Sequence, residues 1–266
     1  VLRAGTYIVL LLPIVILTCE HTQPQANTLT SKQSLREHPE AHEYVDSENP
    51  CIQFDRLNTL VRDGLIDRET ARKRIKELLP RLKTYFYAKG GADSPKNDWV
   101  FPVQGYNQKS IGGSSGNGYV SKGYDYFDGN KHVGHPAHDI FIADKNQDTI
   151  DDNTHAPVNV LAMKSGVVVA TAKEWAVGSD LRGGKYVYVF EPSTNSLIYY
   201  AHNSEIFVKP GDVIKAGHVL ATVGRSGKSA NPPRSPTHLH VAWLVIDEGY
   251  PRPNDLYQVL LKARVY

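Results

Sequence analysis

The sequence predicts a mainly β protein, an antiparallel β-sheet or open sandwich, preceded by a short α-helical segment. Three observations carry this. Short runs rich in Val, Ile, Tyr and Phe recur between residues 139 and 245. Gly, Pro, Ser and Asp separate those runs as turn residues do. Ahead of them, residues 52–87 place apolar side chains three and four apart, the stripe of a helix. The chain has 266 residues, room for one sizeable domain or two small ones. Its 41% hydrophobic and 22% charged residues are an ordinary folded composition. A formal net charge of +2 gives no electrostatic case for nucleic acid as a partner.

Taken in order, the chain opens with Arg3 and an apolar run over residues 7–17. That run is too short for a bilayer span, which needs about 20 residues. A basic residue, a short apolar core and a polar sequel make residues 1–19 an export signal. Ile16-Leu17-Thr18-Cys19 resembles a bacterial lipobox, with Thr18 where Gly or Ala is usual. The resemblance implies lipidation of Cys19 and a membrane anchor. The second cysteine, Cys51, then stays free, or pairs with Cys19 if no lipid is attached. Residues 20–50 are polar and aperiodic and read as a flexible linker, with His21, His38 and His42 in solvent.

Residues 51–98 form the helical segment. Leu57, Leu60 and Val61, then Ala71, Ile75, Leu78, Leu79 and Leu82, mark the apolar stripe. Asp63-Gly64 divides it into two helices, and Asp67 suits the N-cap of the second. Pro80 is expected to end or kink that helix. The run 90–95, Gly-Gly-Ala-Asp-Ser-Pro, marks a boundary.

Residues 99–266 form the β domain, with its core at about 130–245. Strand-like runs lie at 139–143, 157–162, 166–170, 185–190, 197–201, 218–223 and 238–245. The 105–129 stretch is a long loop rich in Gly, Ser, Asn and Tyr, and such loops tend to carry function. Its Tyr106, Tyr119, Tyr124 and Tyr126 are candidates to line a groove.

The chemistry gathers on histidines. His238 and His240 are two apart on a strand, so both point to one face. His135 and Asp139 are four apart and share a face in an extended segment. Together His135, Asp139 and His240 offer two imidazoles and a carboxylate, a donor set that suits zinc and leaves a fourth position for water. His202 ends a strand and, with His238, gives two imidazoles that are not ligands. His138 has the wrong parity for the site and faces away. His218 falls in a hairpin strand, where packing explains it.

These residues stand in the order and spacing of the lysostaphin-type, LytM-like, zinc metalloendopeptidases: His135-x-x-x-Asp139, Tyr200-Ala201-His202, the Pro-Gly-Asp hairpin within 208–217, and His238-Leu239-His240. The resemblance covers about residues 130–245. Ala137 replaces the usual Gly two residues after the first His. The resemblance implies a zinc-dependent hydrolase of peptide bonds in bacterial peptidoglycan, exported to the cell envelope. It makes His135, Asp139 and His240 the zinc ligands and His202 and His238 the catalytic imidazoles, with the choice of general base open. The alternative is a catalytically silent envelope-binding or hydrolase-activating protein of the same fold. An iron oxygenase also uses two His and a carboxylate, but with a His-x-Asp spacing, and Ala137 stands at that position.

One acidic loop remains. Asp144, Asn146, Asp148 and Asp152 alternate like calcium ligands, yet Thr149 sits where a calcium loop needs Gly, and His155 where it needs Glu. Both a calcium site and a solvated acidic turn fit this stretch.

Overall fold

The computed structural model describes residues 49–266. The export signal, Cys19, the linker through residue 48 and its His21, His38 and His42 lie outside the described residues. Two helices come first, α1 (Pro50–Arg62) and α2 (Arg68–Ala88). The Asp63-Gly64 turn parts them, and Asp67 caps α2 by accepting a hydrogen bond from the Thr70 amide at 2.9 Å. Asn49 caps α1 in the same way through the Cys51 amide, also at 2.9 Å. Cys51 is a free thiol buried in the helical core, and burial pushes its pKa up to about 12.

Pro80 does not end α2, which continues to Ala88. The proline is exposed, so the backbone carbonyl it leaves without a donor belongs to the wet side of the helix. On the dry side the buried series Ala71, Ile75, Leu78, Leu82 and Phe86 passes the proline unbroken. Burial of that stripe outweighs the lost hydrogen bond. No helix among the described residues is long and apolar enough to cross a membrane.

The strands are β1 (His138–Phe141), β2 (Asn159–Leu161), β3 (Gly166–Ala172), β4 (Lys185–Glu191), β5 (Ser196–Asn203), β6 (Val213–Ile214), β7 (Val219–Thr222), β8 (His238–Asp247) and β9 (Tyr250–Asn254), followed by α3 (Tyr257–Leu260). They form a seven-stranded sheet in the order β1-β8-β5-β4-β3-β6, with β9 also on β8, and a two-stranded sheet of β2 and β7. All named pairings are antiparallel, as the sequence predicts.

Side-chain alternation divides the large sheet into two faces. Val168, Val187, Val189, Ile198, Tyr200, Leu239 and Val241 join the core shared with β2 and β7. Val167, Val169, Tyr188, Phe190, Leu197 and Leu244 join the core shared with α1 and α2. Both faces are covered, which is why β3 and β4 read as nearly continuous apolar runs. The helices and the sheet therefore belong to one unit, and the 90–95 turn connects elements of a common core. An amphipathic pair of helices cannot bury its stripe alone, and the sheet supplies the second wall.

β9 has no counterpart in the sequence reading, because Pro251 and Pro253 argue against a strand. It lies at an edge and pairs only with β8, Ile246 opposite Pro251 and Leu244 opposite Pro253. Two apart, both prolines withhold a donor from the same side, which an edge tolerates.

Candidate metal centre

The register of β1 against β8 sets Asp139 opposite His240. β8 carries His238 and His240 to the helix-side face, one residue out of phase with the buried Leu239 and Val241. His135 precedes β1 and is held by a two-way backbone bridge with Val120, with N···O distances of 2.7 and 2.8 Å. Its Nδ1 donates to the Gly118 carbonyl at 2.8 Å, so its Nε2 carries the free lone pair.

Three imidazoles converge on one oxygen. Asp139 Oδ1 lies 3.2 Å from His135 Nε2, 3.1 Å from His240 Nδ1 and 3.7 Å from His238 Nε2. The donor atoms of His135, Asp139 and His240 all fall within 4.8 Å of one another. No other such group of His, Cys, Asp or Glu occurs among the described residues. When His135 is neutral, its Nε2 lone pair meets a carboxylate lone pair across the contact with Asp139. A proton on Nε2, which makes His135 an imidazolium, or a metal ion held by both groups satisfies that contact. Two imidazoles and one carboxylate are the donor set of a zinc site with an open position, so the residues present fit that metal.

Charge follows the same geometry. Burial alone would raise the Asp139 pKa, but hydrogen bonds from His135 and His240 hold it far below the usual carboxylate range. Burial would lower His135, and the Asp139 carboxylate outweighs it and raises the imidazole. For His240 burial wins and the pKa falls.

His202 reaches the site by an exception to strand alternation. Leu197, Tyr199 and Ala201 point to the helix side, and Ile198 and Tyr200 to the other, so His202 should point away. Its backbone instead turns left-handed, with φ +66°, beside a register shift between β4 and β5. That conformation costs about 1–3 kcal/mol in a non-glycine residue. It brings the His202 ring to 5.0 Å from that of His238 and 5.4 Å from that of His240.

Each of these two rings has one fixed nitrogen. His202 Nδ1 donates to the Ser226 carbonyl at 2.8 Å and His238 Nδ1 to the Pro236 carbonyl at 2.7 Å. Both therefore keep Nε2 as an acceptor. Ser226 is itself pinned, since its hydroxyl donates to the Asn203 carbonyl at 2.7 Å and accepts from the Lys185 amide at 2.8 Å. Burial, reinforced by the neighbouring histidines, pushes His202 well below the ordinary imidazole value.

The approach to His238 rests on Arg225, a residue that sequence reasoning missed. Its buried guanidinium donates to the carbonyls of Ser235 (2.6 Å), Asn231 (3.2 Å) and Pro232 (3.1 Å) and to the Thr237 hydroxyl (3.2 Å). Thr237 in turn donates to Asp144 Oδ2 at 2.6 Å. Asp144 also accepts from the amides of Asp148 and Thr149 at 3.1 and 2.9 Å. Asp148 accepts from the Ile150 amide (2.9 Å) and from Asn146 Nδ2 (2.8 Å), and Asp152 from the Lys145 amide (3.0 Å). The carboxylates of the acidic loop are thus engaged by the loop's own donors.

His138 does face away from the site. It is buried, lies 2.8 Å from Asp255 Oδ1 and stacks on Tyr119 at 5.9 Å between centroids. His218 is exposed on its hairpin. Of the four loop tyrosines, Tyr124 and Tyr126 line the cleft that opens beside the histidines. Tyr106 instead pairs with Asp151 and with the Ala143 amide, and Tyr119 stays with His138. The cleft is a cavity of about 230 Å³ that runs from Asp139 and His240 under Tyr186, Tyr188 and Tyr199 to α1. Gly183 admits the Tyr199 hydroxyl, which would stand 1.9 Å from any Cβ at that position.

Residues 145–250 match the family model described as Peptidase family M23. The match covers less than half of the chain. The matched stretch holds His202, His238 and His240, and His135 and Asp139 lie just ahead of it. Three solved structures are similar to this chain. A candidate glycyl-glycine endopeptidase, LytM, from Ruminococcus gnavus is 26% identical over 64% of this chain and 63% of its own, with a TM-score of 0.43. The antimicrobial peptidase lysostaphin from Staphylococcus simulans is 22% identical over 62% and 55%, TM-score 0.38. A zinc-containing peptidase from Vibrio cholerae is 21% identical over 64% and 41%, TM-score 0.38. The chain thus spans less than two thirds of each of these relatives. Ahead of its M23 match it carries α1 and α2.

Proposed function

We propose that the protein is a zinc-dependent endopeptidase that hydrolyses peptide cross-links of bacterial peptidoglycan. The observation that carries the reading is Asp139 Oδ1, with imidazole nitrogens at 3.1 and 3.2 Å, at the edge of the stretch that matches the M23 family model. The relatives described as lysostaphin and as a glycyl-glycine endopeptidase support the substrate class. His135, Asp139 and His240 are the zinc ligands, and zinc, when bound there, supplies Lewis acidity to a carbonyl and lowers the pKa of water toward about 7.

The other roles belong to the chain's own groups. His202 and His238 present bare Nε2 atoms, because their Nδ1 protons are committed to carbonyls. One takes the proton of the attacking water at Nε2 and later delivers it to the leaving amine. The other, once protonated, donates to the oxyanion of the tetrahedral state. Burial keeps His202 neutral and ready to accept. Arg225 and Thr237 hold the loop that leads into His238.

Residues 1–19 are proposed to direct export, and Cys19 to carry a lipid that tethers the enzyme to a membrane through the linker. The acidic loop is proposed to act as a structural turn. Digestion of purified peptidoglycan of known cross-link type, with the fragments sequenced, tests the reading. New amino termini should appear, vanish with a chelator and return with zinc. A zinc-bound preparation that releases no amines from any wall would make the protein a silent binder of the envelope.

A further inference from the structure

Three hydrogen bonds join His135 to residues 118–120. The Gly118 carbonyl accepts from its Nδ1, and the Val120 backbone exchanges two bonds with its own. Apart from that bridge, residues 118–120 belong to no strand or helix. Whatever holds this stretch therefore holds the imidazole. Tyr119, between Gly118 and Val120, is its anchor. The Tyr119 ring stacks on His138, with centroids 5.9 Å apart and planes 20° from parallel.

His138 is a costly side chain for its position. It shares a face of β1 with Ile140 and stands opposite Val241, and both of these lie in the apolar core. Its side chain is fully buried, and Nδ1 has no hydrogen-bond partner among the described residues. A valine or isoleucine would bury there without an unpaired nitrogen. The imidazole offers two things instead. One is a flat face for Tyr119. The other is Nε2, which donates to Asp255 Oδ1 at 2.8 Å and so fixes the ring in rotation. The same oxygen accepts from the Tyr257 amide at 2.8 Å, and the Tyr257 ring packs on His138 at 5.8 Å between centroids. Gly116 lies so close to Tyr257 that a Cβ there would stand 2.6 Å from the ring. The segment after β9 thus grips the loop that carries Tyr119.

Resting on the peptidase reading, we infer that Asp255, His138 and Tyr119 form a support that positions the metal ligand His135. Asp255 fixes the His138 ring, and the ring seats Tyr119. Tyr119 holds the Gly118 carbonyl and the Val120 backbone where they keep His135 Nε2 beside Asp139. The three are positioning residues and bind no metal themselves. Outer partners that orient a ligating imidazole tune how tightly the metal is held.

The test is the zinc affinity of the full chain, measured by competition with a chelator, beside the melting curve of the metal-free protein. Tyr119→Ala should bind zinc about three- to tenfold more weakly, with the parental melting curve. Tyr119→Phe keeps the ring and should restore the parental affinity. Asp255→Ala removes a half-exposed carboxylate and should lose a similar amount. The double variant should lose no more than the larger single loss, because the two residues act through one stack. Parental zinc affinity in Tyr119→Ala overturns the support. If that variant does not fold, parental affinity in Asp255→Ala overturns it. Losses that multiply in the double variant overturn it as well. A parent chain that binds no zinc removes the metal reading and this inference with it. A parent that binds zinc beside unaffected variants removes the inference alone.

Discussion

Asp139 and Asp144 lie five residues apart, and their carboxylates live in opposite company. Asp144 faces amide and hydroxyl hydrogens, from Asp148, Thr149 and Thr237. Asp139 faces imidazole nitrogens, at least one of which offers a lone pair. A carboxylate among donors is satisfied and holds a turn in shape. A carboxylate among imidazoles can take their protons or share a metal ion with them. On the proposed reading this difference sets the acidic segment that does chemistry apart from the one that is scaffold, and it lies in the nature of the neighbours.

The largest expected effect separates the two directly. Asp139→Ala and His240→Ala should abolish peptidoglycan hydrolysis, whereas Asp144→Asn should leave it measurable. Hydrolysis surviving in Asp139→Ala would erase the distinction. Next in size are the proton-transfer groups. His202→Ala and His238→Ala should keep zinc and lose about 10²–10⁴ in turnover. Metal analysis beside kinetics checks this, and zinc loss equal to that of the ligand variants would make them ligands too.

The pH profile comes third. His202 is lowered from its ordinary 6.5, chiefly by burial. A lowered pKa keeps the base unprotonated further into acid, so the acid limb of kcat/KM should fall below pH 6.5. A limb at or above that value would assign it to another group. Asp144→Asn weakens buried hydrogen bonds near Thr237 and should cost about 1–3 kcal/mol of stability in denaturant melts, with zinc content unchanged. The smallest effect concerns calcium. If the acidic loop is a turn, millimolar calcium should leave the melting temperature unmoved, and a rise that grows with concentration would reinstate a calcium site.

Much of this was legible in the sequence, for physical reasons that also mark where it stopped. Strand alternation is local, so His238 and His240 could be placed side by side from their spacing, and His138 turned away from it. Turn and cap chemistry is local as well, hence Asp63-Gly64 and Asp67. His202 is different. Alternation alone sends it to the wrong face, and only a left-handed backbone at a register shift brings it back. Its place followed from a family pattern, because nothing in Tyr200-Ala201-His202 announces the positive φ. β9 was hidden by its prolines, and the continuation of α2 past Pro80 by a tertiary contact that propensity does not see. Arg225 and the tyrosine cavity depend on which strands become neighbours. Tyr188 and Tyr199 are eleven residues apart in the chain and stack at 4.4 Å only once β4 pairs with β5.

The central claim is that His135, Asp139 and His240 grip one cation. Its most direct test is a zinc titration by calorimetry of the metal-free protein and its single alanine variants. The account predicts about one site per chain in the parent and in His202→Ala, and none of comparable affinity in His135→Ala, Asp139→Ala or His240→Ala. Undiminished zinc affinity in Asp139→Ala would contradict it.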